Sequence, residues 1–356
     1  MDKQKEVFLH RRNRGIIDAV LARAERLCPD ALDLIAVTGS FAYGDFREDS
    51  DLDLLIVLRD GAEDRLSHCF LMDNCAHDLY TRRWSDLEHT ASFADPFGEK
   101  LLDGQIWWAR DDAASARFYD LRRRLTERLE APLSPEDRRS AGQMLSHAAG
   151  AYGRMCLSAA YSECRMWSGI FWQLLAEGLY LLNHACVRRG VKGMLREMVS
   201  FSLLPESFFA LTDKLIEGGS REELCRICAE LWHNTETCIA SAPCDPLAAG
   251  TYEEAVSNWR GKIRQAAKEN DAFLAFVSAA SCGYFYEEMT QAFGMPKVVP
   301  FPEELCPTPS QMERSFTDAL DTYGQHCLPM QKPVRYENTE DLMHRYGCGE
   351  DKLSTL

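Results

Sequence analysis

The stretch VTGSFAYGDFREDSDLDLLIV, residues 37–57, limits the fold of this chain more than any other segment. It places a Gly-Ser pair after one apolar run and two aspartates, Asp51 and Asp53, at the start of the next. Aspartate is depleted in strands, so a strand selected only for folding would not contain two. Side chains at i and i+2 of a strand leave the same face about 6–7 Å apart, so these carboxylates are expected to point together. Their mutual repulsion favours a cation between them, and the spacing suits Mg²⁺ with phosphate oxygens as further ligands.

The Gly-Ser pair upstream suits the same chemistry. Gly39 and Ser40 follow an apolar run and open a short helix, where backbone N–H groups and a hydroxyl can hold a phosphate. Gly39 would let the chain approach that phosphate closely, and Gly44 would end the short helix. We therefore expect a strand–helix–strand unit that binds a phosphorylated ligand.

The rest of the chain changes character near residue 112. Before it, short apolar runs predict strands and a first helix over residues 3–27. The predicted strands are 31–39, 51–58, 75–84 and a short one around residue 104 in DGQIWWARD, entered by a turn. After it, 3.6-residue periodicity predicts helices at 112–129, 134–160, 163–189, 205–217, 220–241, 251–268, 270–292 and 309–325. Ser134-Pro135-Glu136 is a good helix start. The predicted fold class is α+β: a mixed-sheet domain over residues 1–125, with its motif core at 32–110, and an all-α helical bundle over 126–356.

Taken together, these residues resemble the nucleotidyltransferase superfamily that includes DNA polymerase β, particularly its small bacterial members and aminoglycoside nucleotidyltransferases. The resemblance rests on Gly39-Ser40, ten intervening residues, and Asp51-Leu52-Asp53, with Gly44, Arg47 and Ser50 also in the usual positions. It covers roughly residues 15–110. It implies that Asp51 and Asp53 are metal ligands, and that Gly39, Ser40, Gly44, Arg47 and Ser50 bind the nucleotide. Relatives often carry arginines after the Gly-Ser pair, whereas here Phe41 and Tyr43 stand there, which we interpret as packing residues.

The resemblance also implies a third acid on a neighbouring strand. Asp78, among the strand-favouring residues of AHDLYT, is our choice, with Glu88 in SDLEH as the alternative. The other interpretation of Asp78 is a buried ion pair with Arg82 or Arg83. Lys192 is either a phosphate contact or a solvated surface lysine.

The implied activity is Mg²⁺-dependent transfer of a nucleoside monophosphate, AMP by expectation, from a nucleoside triphosphate such as ATP to a hydroxyl. In that mechanism Asp51 and Asp53 coordinate Mg²⁺, and Asp78 activates the hydroxyl. The expected acceptor is a small molecule, such as an aminoglycoside-like antibiotic, with the helical domain as its wall. Two alternatives stay open: a protein or tRNA acceptor, as in toxin–antitoxin systems, and a degenerate module that binds nucleotide without catalysis.

Composition bears on partners and compartment. The formal net charge is −15, from 40 basic and 55 acidic side chains, and no basic patch is apparent, so nucleic acid is an unlikely partner. No run of 18 uncharged apolar residues and no signal peptide are found, so we expect a cytoplasmic protein without a membrane segment.

The 14 cysteines are scattered, which favours reduced thiols. Cys225 and Cys228 form a lone CxxC at helical spacing, which argues against zinc. Arg226 and His233 fit the loose pattern of HEPN ribonucleases, which a helix surface also explains.

Overall fold

A computed structural model describes residues 3–44, 46–47, 50–72, 75–248, 250–330 and 333–346. Contacts divide the chain into two compact units, Met1–Pro243 and Cys244–Leu356. The helices between residues 126 and 243 therefore belong to the same unit as the sheet. The functional division predicted at residue 125 falls within a helix of the first unit and stays a prediction.

Two sheets lie in the first unit. Its strands are β1 (Leu32–Val37), β2 (Leu54–Leu58), β3 (His68–Met72), β4 (Cys75–Leu79), β5 (Thr81–Arg83) and β6 (Gln105–Ala109). The larger sheet has the order β5-β2-β1-β6, in which β1 is antiparallel to β2 and β6, and β2 is parallel to β5. Strands β3 and β4 form a separate antiparallel hairpin in which Cys69 lies opposite Asp78. Every residue of β1 and β2 is buried, which explains their nearly continuous apolar sequences.

Strand bounds differ from the prediction in two places. Strand β2 begins at Leu54, so Asp51 and Asp53 lie in the segment that leads into it. The single strand predicted over 75–84 is two strands, β4 and β5, and the partner strand β3 was not predicted. Four of the five residues of β3 are exposed, so its sequence lacks the apolar alternation that marks a half-buried strand.

The helices of the first unit agree with the periodicity of the sequence. They are α1 (Lys3–Leu27), α2 (Gly39–Tyr43), α3 (Trp84–Ala91), α4 (Glu99–Asp103), α5 (Asp112–Glu130), α6 (Pro135–Leu157), α7 (Tyr161–Leu182), α8 (Met194–Met198), α9 (Phe208–Glu217) and α10 (Arg221–Ala240), with a 3-10 turn at Gly190–Lys192. Ser134 caps α6 as expected, and its side chain accepts from the Asp137 N–H. Helices α3, α4 and α8 were not predicted, because they are too short for a periodic pattern.

The two faces of the larger sheet pack differently. Leu34, Ala36, Leu55 and Val57 face one hydrophobic cluster with residues of α3, α5, α6, α7 and α10. Ile35, Val37, Ile56 and Leu58 face a second cluster with α1 and with Leu79 of β4. The first cluster joins the sheet to the helices that follow it in one core.

The second unit is built of helices around a core of its own. They are α11 (Thr251–Ala255), α12 (Gly261–Glu269), α13 (Ala272–Phe293), α14 (Pro309–Met330) and α15 (Thr339–Arg345), with a π-helical segment at Val256–Arg260. Tyr286 and Tyr323 are fully buried in that core, with ring centroids 4.8 Å apart. A mixed sheet followed by helices confirms the α+β class. In the described ranges, no helix combines the length and the apolar character needed to cross a membrane.

Candidate active site

Gly39, which follows β1, contacts Asp53, which precedes β2. The Thr38 N–H donates to the Asp53 carbonyl at 2.9 Å and its hydroxyl to the same oxygen at 3.3 Å. Gly39 has a φ of +64°, and a Cβ built on it would lie 1.9 Å from Asp53 Oδ2. The Asp53 carboxylate therefore lies against the Gly39 backbone at a distance that only glycine allows.

The two aspartates of the motif differ in exposure. Asp51 is exposed and Asp53 is half-buried. Burial raises the pKa of Asp53, and the charge of Asp51 raises it further, while Lys100 and Lys192 lower it. The folded chain thus holds two carboxylates in mutual repulsion, an arrangement that a bound cation relieves.

The residues present fit Mg²⁺ but no all-protein metal cage. Within the described part of the chain, no three His, Cys, Asp or Glu side chains are grouped so as to hold a metal ion. Mg²⁺ is commonly held by one or two carboxylates together with substrate phosphates, so Asp51 and Asp53 are a sufficient protein contribution.

Arg47 and Ser50 hydrogen-bond to each other in the segment just before Asp51. Ser50 Oγ accepts the Arg47 N–H at 2.8 Å, and the Ser50 N–H donates to the Arg47 carbonyl at 3.1 Å. The guanidinium of Arg12, which is 8% exposed in α1, donates to the Ser50 carbonyl at 2.7 Å. The contacts of Ser50 are thus with the chain itself, and the Arg47 side chain is exposed. Their nucleotide contacts remain predictions. Arg12 is a supporting residue that the local sequence pattern did not reveal.

Helix α2 carries the rest of the motif. Gly44 ends it with a φ of +74° and donates its N–H to the Phe41 carbonyl at 3.3 Å, as expected. Ser40 is half-buried in its first turn, and its proposed phosphate contact stays a prediction. The Phe41 ring packs 5.0 Å from the ring of His10 in α1, so this aromatic residue is a packing residue.

Asp78 lies in β4, three residues before Thr81, the first residue of β5 that pairs with β2. The three observed pairs, Ile56↔Thr81, Val57↔Arg82 and Leu58↔Arg83, share one offset of 25 residues. The same offset aligns Leu52 with His77, whose Nδ1 accepts the Leu52 N–H at 3.3 Å. It also aligns Asp53 with Asp78. Asp53 precedes β2 and Asp78 belongs to the β3–β4 hairpin, so this alignment extends the observed pairs, and the role of Asp78 as the third acid stays a prediction.

The side chains follow the alternation of the strands. Leu54 and Leu79, which the same offset aligns, share one hydrophobic cluster. The residues between the buried ones, Asp53 and Asp78, therefore leave the opposite face. Asp78 is exposed there and is not a buried ion-pair partner.

Two glutamates near the site differ in their partners. Glu88, the alternative third acid, forms an ion pair with Arg117 at 2.5 Å on an exposed surface. Glu99 at the start of α4 was not predicted. Its Oε2 is buried and has no hydrogen-bond partner among the described residues. Burial raises the pKa of Glu99, and Asp53 and Asp95 raise it further. No sequence signal distinguishes Glu99 from other acids that begin helices.

Other candidates from the sequence are surface or packing residues. Arg226 pairs with Glu230 at 3.4 Å, and His233 is exposed beside Glu236, as on an ordinary helix surface. Cys225 Sγ lies 3.9 Å from Cys156 Sγ. Burial, followed by the neighbouring thiol of Cys156, raises the pKa of Cys225 to about 11, so it is a protonated thiol at neutral pH.

Comparison with known proteins identifies a family for part of the chain. Residues 18–101 match the family model of the nucleotidyltransferase domain. No curated protein matches the chain. One solved structure, a nucleotidyltransferase-like protein from Exiguobacterium sibiricum 255-15, is 12% identical with a TM-score of 0.37. That alignment covers 81% of this chain and 96% of the other, and a score this low supports no further statement. The family match confirms the predicted resemblance: the chain carries a nucleotidyltransferase domain, the domain of enzymes that transfer nucleoside monophosphates.

Proposed function

We propose that this chain is a Mg²⁺-dependent nucleotidyltransferase that moves a nucleoside monophosphate, AMP in the first instance, from a nucleoside triphosphate to a hydroxyl of a small molecule. The observation that carries the proposal is the packing of the Asp53 carboxylate against the Gly39 backbone beside a second carboxylate, Asp51. The family match at residues 18–101 supports the reaction class.

Each site residue has a role in this reaction. Asp51 and Asp53 hold Mg²⁺, which when bound neutralises charge on the phosphates. The backbone at Gly39 and Ser40 faces the phosphates, while Gly44, Arg47 and Ser50 fix the loop between Ser40 and Asp51. Asp78 takes the proton of the acceptor hydroxyl as its oxygen attacks the α-phosphorus and pyrophosphate leaves.

Electrostatics near the site favour a cationic acceptor such as an aminoglycoside-like antibiotic. Beyond Asp53, Asp95 raises the pKa values of both Glu99 and Glu177, in each case after the larger effect of burial. Asp95 therefore interacts electrostatically with both Glu99 and Glu177 of α7. The net charge of −15 is consistent with such an acceptor and disfavours nucleic acid.

Calorimetric titration with ATP and then each other NTP, in the presence of Mg²⁺, tests the first half of the proposal. Metal-dependent binding by the wild type that is lost in the Asp51→Asn/Asp53→Asn double variant supports the site and names the nucleotide. Absence of binding by the folded wild type would contradict the proposal and favour a degenerate module.

Substitution of the proposed base tests the second half. We expect Asp78→Asn to lower kcat by about 10²–10⁴-fold and to leave the Kd of Mg-NTP nearly unchanged. The activity would be pyrophosphate release in a screen of hydroxylated antibiotics. Glu88→Gln is the matched control, because Glu88 already pairs with Arg117. Equal losses in both variants would rule out Asp78 as the base.

A further inference from the structure

Helix α2 supplies no cation for a triphosphate. After Ser40, the large side chains of this helix are those of Phe41 and Tyr43, and both contact other parts of the protein. Phe41 packs on His10, and the Tyr43 hydroxyl donates to Asp103 Oδ2. A triphosphate carries several negative charges. The charges of two carboxylates and a divalent ion sum to zero, so together they do not offset the charge of the triphosphate. Further positive groups must therefore come from elsewhere in the fold.

Residues 187–193, which we call the basic turn, are fastened to the site at several points. The Val187 N–H donates to the Pro96 carbonyl at 2.9 Å, just before α4. Arg188 pairs with Asp103 Oδ1 at 2.9 Å. The guanidinium of Arg189 lies 3.7 Å from the centroid of the Tyr43 ring. The basic turn is thus held against both α2 and α4.

The basic turn is also held from behind. The Glu197 carboxylate accepts the N–H of Arg188 at 3.1 Å and that of Arg189 at 2.9 Å. The Tyr180 hydroxyl donates to the same carboxylate at 2.8 Å. A Cβ built on Gly193 would lie 2.3 Å from Arg189 Cβ, so the turn closes on itself more tightly than any other residue would allow. This turn is preorganised.

Two lysines on these elements are available to a ligand. Lys192 ends the 3-10 turn within the basic turn, and Lys100 lies in α4, the helix to which Arg188 fastens that turn. Arg188 is neutralised by Asp103, whereas among the described residues neither lysine has an ion pair or hydrogen bond. Two unpaired ammonium groups on elements that contact α2 can bind phosphate oxygens with charge-assisted hydrogen bonds.

We propose that Lys100 and Lys192 bind the triphosphate, with the basic turn replacing the arginines that α2 lacks. The inference rests on the proposed function and adds to it the residues that hold the β- and γ-phosphates. It also makes the helical part of the first unit a contributor to nucleotide binding.

The test compares nucleotides of different charge on matched variants. Mg²⁺ with a non-hydrolysable ATP analogue, and separately with AMP, is titrated into wild type, Lys192→Met, Lys100→Met and Arg196→Met. Arg196 is an exposed cation four residues beyond Lys192 in α8 and makes no side-chain contact among the described residues. We expect each lysine variant to weaken binding of the ATP analogue by about tenfold to a hundredfold and to leave AMP binding unchanged. Lys192→Arg should restore most of the affinity.

Three outcomes would contradict either the inference or the proposed function. If the wild type binds the analogue and Lys192→Met and Lys100→Met bind it like Arg196→Met, the lysines do not hold the triphosphate and the inference is wrong. If the folded wild type binds no analogue with Mg²⁺, the proposed function itself fails. A loss of affinity equal for the analogue and for AMP would also overturn the inference, because it would indicate a structural effect rather than a phosphate contact.

Discussion

Gly39 is the residue where the site tolerates least change, because the Asp53 carboxylate occupies the space of its missing side chain. Gly39→Ala adds a methyl group 1.9 Å from Asp53 Oδ2 and must displace that carboxylate. We expect activity to fall by about 10²-fold or more, since displacing a reacting group by about 1 Å costs that much. Steady-state assay of pyrophosphate release measures the loss.

The control for Gly39→Ala is Gly61→Ala. Gly61 has a φ of +81°, and a Cβ there meets no atom within 4 Å, so the substitution imposes the backbone strain without the clash. That strain costs roughly 1–2 kcal/mol. Similar thermal destabilisation with loss of activity only in Gly39→Ala is the expected pair of results. Equal activities would contradict the assigned position of Asp53.

Glu99 provides a prediction about pH. Its pKa is raised above the ordinary value of 4.5 by burial first, and then by Asp53 and Asp95. The folded state therefore binds a proton more tightly than the unfolded chain, and stability falls as pH rises through this range. We expect Glu99→Gln to raise the Tm at pH 7 and to have almost no effect near pH 4, where both states are protonated.

Thermal unfolding of wild type and Glu99→Gln across pH 4–8 measures this difference. Glu88→Gln serves as the control, because it removes an exposed ion pair and should change stability by no more than about 1 kcal/mol. A stabilisation of Glu99→Gln that is independent of pH would contradict the assignment to an ionised carboxylate.

At the scale of elements, Asp33 holds the larger sheet to its surroundings. This side chain of β1 is 9% exposed, and its Oδ1 pairs with Arg59 and Arg110, each at 3.0 Å. Its Oδ2 accepts the indole N–H of Trp84 at 3.0 Å. One carboxylate thus connects β1 with residues next to β2 and β6 and with the first residue of α3.

Removal of this carboxylate should destabilise the protein strongly. We expect Asp33→Ala to lower the free energy of unfolding by about 1–3 kcal/mol, because it leaves the buried indole N–H of Trp84 without its acceptor. Asp30→Ala removes an exposed carboxylate 3.9 Å from the same Arg110 and should cost under about 1 kcal/mol. Urea unfolding compares the two. Equal losses would show that burial at Asp33 does not decide the result.

At the scale of the whole molecule, the sheet and the helices after it share one hydrophobic core within residues 1–243. We expect a chain ending at Pro243 to unfold cooperatively and to bind Mg-NTP. A chain ending at residue 125 should lose cooperative unfolding, since it lacks α6, α7 and α10, whose buried residues make up much of the cluster that contains Leu34 and Leu55. Calorimetry of both truncated chains measures this. A stable, nucleotide-binding chain of 125 residues would instead make the first 125 residues an independent domain.

Much of the fold was predictable from local patterns. The long helices α1, α5, α6, α7, α10 and α13 repeat apolar residues at helical spacing, and β1 and β2 are nearly continuous apolar runs. The Gly-Ser and Asp-x-Asp residues predicted the site for a different reason, because aspartates beside a buried strand conflict with strand propensity. Such a conflict between local preference and fold is the expected mark of function.

What the sequence did not predict depends on contacts between distant residues. The tie between Tyr43 and Arg189 joins positions far apart along the chain, and neither residue is unusual in its own segment. The Glu99 Oε2 atom, buried and without a hydrogen-bond partner among the described residues, and the support of Ser50 by Arg12 likewise leave no mark on the periodicity. Pairing of β5 with β2 depends on only three residue pairs, too few to leave a pattern.

The β3–β4 hairpin offers a position for covalent labelling next to the proposed base. Cys69 lies directly opposite Asp78 and is exposed, so their side chains share a face with Cβ atoms about 4.5–5.5 Å apart. An electrophile that alkylates Cys69 would be anchored beside the proposed base. Compounds of modest affinity could thus be tethered at the acceptor side of the site, and bound substrate could be followed by the protection that it gives to a single thiol.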